Sequence, residues 1–397
     1  QSGQIDMGQL SLENVSQISL EIGQSDNIFQ PARNFSSAGI LNVVTQAPYF
    51  GEKSYVGNVR MKAGSFGQFG PSLYLGKRLK RDLSLALNGD WQRADGNYPF
   101  KFNNGSEIEH RKRYNSDVHV YRLGANLYKE WNGRGELTFK NNYFDSSRGL
   151  PGTTVSLNLD AAERLITRTF FSQMTGKYRF SDKLSGRAAA KINHTYEKYS
   201  NTENSTTTSD RYRQYEYYAT STLLYLPKED WKVSLAQDYA HSYLFSIYGE
   251  SALDPATYPN RVKSYRNVSL TALNANFNKN KWTILAGLLG AYYGEGVDKG
   301  ARAADKKRIS PSISLLYELN PDWQARVSYK DIYRVPSLND MYYTQIGNTA
   351  LKPEIARQLN AGTTYKAQRK NDRISLSVDG YYNEVKDKSV AVMKMFN

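Results

Sequence analysis

From about Tyr55 onward, apolar and polar positions alternate in long runs. Leu83, Leu85, Leu87, Gly89 and Trp91 alternate with Ser84, Ala86, Asn88 and Asp90. Trp231, Val233 and Leu235 alternate with Lys232, Ser234 and Ala236, and Trp323, Ala325, Val327 and Tyr329 with Gln324, Arg326, Ser328 and Lys330. Ile374, Leu376, Val378 and Tyr382 share one face against Arg373, Ser375, Ser377 and Asp379. A period of two means a strand with one apolar face. The runs reach about ten to fourteen residues, beyond the usual five or six of soluble strands, whereas a tilted strand of about nine to eleven crosses a bilayer core. The pattern therefore predicts an all-β chain whose antiparallel strands form a transmembrane barrel, about fifteen of them with a sixteenth starting after Lys388.

The connections repeat in a second rhythm. Tight turns are predicted at Leu79–Asp82, Asn132–Arg134, Ser181–Lys183, Pro227–Asp230, Asn278–Lys281, Asn320–Asp322 and Arg369–Asp372. Longer connections fall at Gly96–Asp117, Ser147–Ile166, Ser200–Arg213, Leu244–Arg266, Gly294–Lys306 and Arg334–Glu354, with only Gly64–Gly70 short on that side. Strict alternation of short and long connections is the parity of a barrel whose rims face different compartments. Trp131, Trp231, Trp282 and Trp323 each lie beside a tight turn, the phase expected of an aromatic girdle. Lys232, Arg326 and Arg373 must then point inward, because a cation facing mid-membrane lipid costs about 2–4 kcal/mol.

Residues 1–50 break the rhythm. Leu10–Leu20 and Ile40–Thr45 read as short strands around a polar, irregular Gly23–Ser37. So small a piece cannot bury a core alone, and a barrel lumen would enclose it.

Composition removes competing classes. No segment supplies the roughly 18 consecutive apolar residues of a membrane helix, and the longest apolar stretch, Ile284–Tyr293, is broken by Gly287 and Gly290. The net charge of +14 is spread along the chain, with only Lys77–Arg81 clustered, so nucleic-acid binding is not expected. The absence of Cys excludes disulfides and thiolate metal sites. Gln1 opens without a charged segment and an apolar core, so an export signal is expected to have been removed. No GxSxG, HExxH, Walker A or CxxC motif occurs, and neither catalysis nor a cofactor is expected. A rim of carboxylates at Asp238, Glu250, Asp254 and Asp331 is all that a barrel protease could draw on. The four histidines lack ligand spacing, leaving His110 as the lone heme-ligand candidate.

Several motifs resemble one family. Gly39-Ile40-Leu41-Asn42-Val43-Val44-Thr45-Gln46 is similar to the close of the plug in TonB-dependent outer-membrane receptors, and Arg148-Gly149-Leu150-Pro151-Gly152 to a recurrent loop motif. Tyr333-Arg334-Val335-Pro336-Ser337-Leu338-Asn339-Asp340, followed by Gly347-Asn348-Thr349-Ala350-Leu351-Lys352-Pro353-Glu354, resembles its most specific barrel signature. Gly380–Asp387 is similar to the strand that follows. On their own chemistry most of these residues shape loops, since Pro fixes φ and Gly-Asn permits turns. The resemblance implies a barrel of about 22 strands around a plug. Residues 1–50 would be the tail of that plug, and residues 51–397 a partial barrel lacking its last strands. It further implies active uptake of a scarce nutrient, bound by loops and plug, with the TonB complex supplying energy through a plug segment that precedes this sequence.

The wording of Ala94–Phe100, Arg113–Asp117 and Val385–Val392 is most similar to cobalamin (vitamin B12) receptors, with ferric siderophore and heme receptors as the alternatives. A surface lipoprotein cap is an implied partner of the cobalamin type, and lipid and lipopolysaccharide are the expected surroundings. A passive porin or adhesin, the reading of another class, would lack the plug tail and the Leu-Lys-Pro-Glu signature. Tyr98, Asn103, Tyr243, Tyr248, Tyr342 and Tyr343 are the expected ligand contacts, with Tyr258 a further loop tyrosine, because aromatic and amide groups suit a large flat ligand.

Overall fold

The alternating runs become ladders in the computed structural model, which describes residues 7–390 apart from 12, 14, 24, 46, 104, 132, 153–161, 204–205, 250–260, 343–346 and 370–371. An N-terminal hairpin pairs β1 (Val15–Ile22) with β2 (Gly39–Thr45), and between them lies the helical turn α1 (Ala32–Phe35). The expected short strands are therefore present, with the first beginning later than Leu10, and the irregular segment carries one turn of helix.

The wall begins with β3 (Tyr55–Gly64), β4 (Gln68–Lys80) and β5 (Leu83–Ala94). A separate hairpin of β6 (Pro99–Asn103) and β7 (Ile108–Lys112) precedes β8 (Val118–Trp131), β9 (Gly135–Gly149), β10 (Arg164–Arg179), β11 (Leu184–Glu203) and β12 (Thr206–Lys228). It continues with β13 (Trp231–Ile247), β14 (Arg261–Lys279), β15 (Trp282–Val297), β16 (Lys306–Asn320) and β17 (Trp323–Arg334). After the helical turn α2 (Leu338–Tyr342) come β18 (Glu354–Arg369) and β19 (Asp372–Lys386). β3, β4, β5 and β8 to β19 make one antiparallel sheet of fifteen strands in chain order; among the described residues β3 and β19 are its edges and no ladder joins them.

Each predicted tight turn joins two neighbouring strands. The expected loop Ser200–Arg213 is instead strand: β11 and β12 stay in register out to Glu203 and Thr206, with the Thr202 and Thr207 hydroxyls 3.0 Å apart. Both faces of this extension are polar, so hydrophobic alternation, the marker used for strands, is missing there.

The two faces of the sheet are chemically distinct. On β13 Ser234, Ala236, Asp238, Ala240 and Ser242 are buried, while Trp231, Leu235 and Tyr239 are exposed. Only the first set meets the N-terminal segment, so it faces the interior. Lys232 shares that face by parity. Arg326 pairs with Asp379 at 2.6 Å on the face of Lys330, whose ammonium donates to the carbonyls of Gly23 (3.0 Å) and Ser37 (2.6 Å). Arg373 is on the face of Asp379. The outward face carries Trp131, Trp231, Trp282 and Trp323 at the tight-turn rim. The last three each lie against the aromatic ring directly across the ladder, Phe277, Tyr317 and Tyr365, with centroids 4.9, 4.5 and 4.9 Å apart.

Two clusters hold the contents of the sheet in place. Ala32 and Phe35 of α1 pack against Ala236, Leu270, Ala272 and Leu289 on the inner wall. Nearer the long-loop rim, Leu338, Met341 and Tyr342 of α2 pack with Leu244 and Ala303.

Candidate functional site

A cavity of about 1180 Å³ lies between these clusters. Its floor is the N-terminal segment, with Arg33 and Ser36 to Gly39; its wall includes Glu197, Tyr212, Glu216, Arg266 and Tyr293; its upper edge is Tyr333, Arg334 and Asn339. Arg148, at the end of β9, completes a set of four guanidinium groups, of which Arg33, Arg266 and Arg334 have carboxylate partners in Glu216, Glu295 and Glu354.

The floor is fixed by one buried carboxylate. Asp238 accepts from the backbone N–H groups of Ala32 (3.0 Å) and Arg33 (2.8 Å), the Tyr218 hydroxyl (2.8 Å) and the Thr220 hydroxyl (2.6 Å). The first two donors belong to the helical turn, whose leading N–H groups have no partner within it. The Thr222 hydroxyl adds a bond to the Gln30 carbonyl at 3.1 Å. Arg33 then lies over the Tyr218 ring, 3.5 Å from its centroid, and 3.6 Å from Glu216.

The upper edge is held by Arg266, which donates to Glu295 (2.8 Å) and to the Pro336 carbonyl (2.7 Å). Ser337 and Asp340 cap α2 reciprocally, Ser337 N–H to Asp340 Oδ2 at 2.8 Å and Asp340 N–H to Ser337 Oγ at 3.1 Å. The Tyr342 hydroxyl accepts from the Ala303 N–H at 3.1 Å, and burial pushes its phenol up. The neighbouring loop is tied by Asp305, whose carboxyl is held below its ordinary value, first by the Glu295 N–H and further by the Tyr292 hydroxyl and Arg302.

The expected contacts fall elsewhere. Tyr98 is exposed beside Phe66 and Phe100, and Asn103 ends β6, where its side-chain oxygen accepts from the Gly105 N–H. Tyr243 points outward on β13. Tyr248 is buried against Tyr212, and Tyr342 is packed within its own cluster. Tyr343 and Tyr258, with Glu250 and Asp254 of the carboxylate rim, lie outside the described residues. The other two rim carboxylates are engaged, Asp238 by α1 and Asp331 by Arg308 (2.7 Å) and Ser310 (2.9 Å). His110 is exposed on the β6–β7 hairpin, away from the cavity.

The signature residues act as loop carpentry. Arg334 and Glu354 pair at 3.0 Å across the base of the β17–β18 loop, Pro336 is buried, and Asn348 turns the chain by accepting from the Ala350 N–H at 2.9 Å. Gly347, Leu351 and Pro353 lie in the same connection. At the end of β9, Gly149 is buried ahead of Pro151, and a Cβ there would run into the Asn115 backbone. Of the motif residues, Gly39, Arg148, Tyr333, Arg334, Val335, Leu338 and Asn339 also line the cavity. Arg33, Arg266, Tyr212 and Tyr293 were missed, since each comes from a different element with no spacing to link them.

A second, apolar hollow of about 920 Å³ includes Trp131, Leu137, Gly186 and Leu223. These four residues are on the outward face, where lipid chains are the natural occupants.

Residues 73–394 match the family model described as TonB dependent receptor-like, beta-barrel. The chain belongs to that family. TonB-dependent receptors are transporters and receptors of the bacterial outer membrane, not enzymes, and the outer membrane is where this chain resides. No curated protein sequence matches it. Among solved structures it is similar to the copper transporter OprC, at 14% identity and a TM-score of 0.74 over 96% of this chain and 60% of that one. It is also similar to the FrpB iron transporter from Neisseria meningitidis, at 12% identity and TM-score 0.75 over 96% and 62%. A third is BauA, the ferric preacinetobactin receptor from Acinetobacter baumannii, at 15% identity and TM-score 0.66 over 93% and 60%. The chain spans about 60% of the length of these structures, and likeness at this identity speaks to fold alone.

Proposed function

We propose that the protein takes up an anionic metal chelate of the ferric siderophore type across the outer membrane, energised by TonB acting on a plug of which residues 1–50 are the tail. The observation that carries this reading is the cavity between the N-terminal segment and the long-loop rim, where Arg33, Arg148, Arg266 and Arg334 meet Tyr212, Tyr293 and Tyr333. Guanidinium groups bind carboxylate and catecholate oxygens by charge and geometry together, and tyrosine supplies flat contact area. Two neighbours of the same fold, FrpB and BauA, carry iron in their names.

Cobalamin, the cargo expected from loop wording, finds less support. Ala94–Phe100 and Arg113–Asp117 do not line the cavity, and their own bonds account for them. Ser116 donates to the Gly96 carbonyl at 2.7 Å, Asn115 to the carbonyls of Leu150 (3.1 Å) and Glu163 (2.8 Å), and Arg164 to Asp117 at 2.8 Å. Gly96 has φ +67°, and a Cβ there would meet the Ser116 carbonyl.

The test is equilibrium binding to outer-membrane vesicles carrying the protein, with a ferric catecholate, a ferric hydroxamate, heme and cyanocobalamin as separate probes. Saturable binding of a ferric chelate, weakened about tenfold or more in Arg148→Gln, is the expected result. Binding of cyanocobalamin alone would restore the vitamin reading and remove this one.

A further inference from the structure

The wall carries a hydrogen-bonded polar cluster on its outward side. By parity on β13, Gln237 points outward between Leu235 and Tyr239. Across the ladders its row continues with Ser221 on β12, Thr271 on β14 and Gly290 on β15. The Gln237 amide donates to the Ser269 hydroxyl and to the Asp238 carbonyl, both at 3.1 Å, and its oxygen accepts from the Thr271 hydroxyl at 2.6 Å. Ser221, Gln237 and Thr271 are all exposed.

Depth sets this cluster apart. Gln237 lies six residues above Trp231, about 20 Å along a strand rising roughly 3.3 Å per residue, or about 15 Å along the membrane normal at a tilt near 40°. That is the middle of an outward apolar band about 25 Å tall. At comparable height β16, β17 and β18 present Ile313, Val327 and Leu359 instead. Lipid chains offer an amide or hydroxyl nothing to bond, and the Gln237 oxygen has room for a second donor. The relief on either side of Gln237 is complementary. Toward β10 the face is a hollow of about 330 Å³ lined by Phe139, Met174, Ala190, Ile192, Tyr217 and Ala219. Toward β15 it rises, where Leu273 and Leu288, directly across the ladder from each other, are about half exposed. Ridge and hollow share the height of Gln237: Leu288 is six residues above Trp282, and Ala190 six above Leu184 at the tight-turn end of β11.

We propose that the protein pairs with a second copy of itself in the membrane through the outward face of β10 to β15, about a two-fold axis that runs along the membrane normal beside Gln237. Such an axis sets each residue against the same height on the other copy. The two Gln237 amides then meet, and the Leu273–Leu288 ridge of each copy lies over the hollow of the other. A carboxamide is donor and acceptor at once and so complementary to itself, while the small side chains of Ala190, Ala219 and Ser221 allow close approach. A lipid chain could fill the hollow but would leave the amide and hydroxyls without new partners. The inference does not depend on which cargo the cavity takes.

The sequence lacks Cys, so Gln237→Cys places a single thiol at the axis. Oxidative cross-linking in outer membranes carrying the full chain should give a covalent dimer, at about tenfold or more the yield from Val327→Cys on β17. Adding Ala219→Trp, whose indole fills the hollow from the lipid side, should lower the dimer yield about tenfold while the heat-modifiable shift on gels is kept. Equal yields from the two thiols would overturn the proposal, as would an undiminished yield in the folded Ala219→Trp background. Should a variant not fold, the unsubstituted protein still decides. Its sedimentation mass in a density-matched neutral detergent must be that of a pair of chains, and the mass of a single chain would sink the idea.

Discussion

Asp238, in the middle of β13, accepts a hydrogen bond at 2.8 Å from the backbone N–H of Arg33, 205 residues earlier in the chain. The bond ties the wall to the floor of the cavity. With the Ala32 N–H, Tyr218 and Thr220 also donating, the carboxylate is fully used, which is how a charge at 2% exposure is tolerated. Asp238→Asn presents an amide N–H to groups that are themselves donors. We expect a loss of about 1–3 kcal/mol at this contact. Amide hydrogen exchange at Ala32 and Arg33 should quicken about tenfold while the strands of the wall stay protected. Unchanged exchange at those two amides would show that the latch contributes nothing.

Arg334 and Glu354 make a different kind of contact, 3.0 Å long and with Arg334 59% exposed. Exposed pairs are worth at most about 1 kcal/mol. Glu354→Gln should therefore leave the denaturation midpoint nearly unchanged, yet it frees both the guanidinium and the Ser389 N–H that Glu354 accepts at 2.8 Å. The local effect is an increase in protease cleavage between positions 335 and 353. Ser337→Ala, which removes half of the α2 cap, should raise cleavage in the same segment at a cost of about 1 kcal/mol. If neither variant is cut faster, the signature does not hold this loop.

The architecture was legible because the outward face must be apolar and the inward face need not be. That constraint writes a period of two through Leu83–Trp91 and Trp323–Tyr329, and it placed Lys232, Arg326 and Arg373 on the inner face. It fails where both faces meet water, so the β11–β12 extension beyond Ser200 read as loop. The cavity was illegible for a different reason. Arg33, Arg148, Arg266 and Arg334 come from four separate elements, and nothing in their spacing brings them together. Tyrosine misled because two physical roles share one residue type: composition makes Tyr243 a ligand candidate, while the register turns it to the outward face. The latch at Asp238 had no local signal at all, since its partners are backbone N–H groups.

Asp117 and Arg164 predict an acid response. Arg164 grips both carboxylate oxygens, at 3.1 and 2.8 Å, and chiefly through these bonds holds Asp117 below its ordinary value of 3.8. A carboxyl depressed by folding contributes stability that is present above its unfolded pKa and lost as pH falls through the folded one. The loop ends that meet here, Asn115 with Leu150 and Glu163, should loosen only below about pH 4. Because the chain has no Cys, Ala162→Cys offers a unique site for a nitroxide label. Its mobility should rise in that acid window, and in Asp117→Asn it should already be high at neutral pH. A flat profile in the parent would remove the ion pair as the fastening.

The strand register makes the sharpest demand, because neighbours on one strand should respond oppositely to charge. Val327 is exposed on the outer face of β17, and Arg326 beside it faces inward to Asp379. Val327→Arg puts a cation into lipid within about three residues of the midplane, at a cost of about 2–4 kcal/mol. Arg326→Val removes one half of a pair in which both side chains are about half exposed, so the change should stay below about 1 kcal/mol. Equilibrium folding into phosphatidylcholine vesicles, followed by the heat-modifiable shift on gels, measures both. Equal costs for the two variants, or a larger cost for Arg326→Val, would mean that β17 presents its other face to the membrane. In that case Lys330 could not reach the carbonyls of Gly23 and Ser37, and the N-terminal segment would lose its second anchor along with the first premise of the cavity.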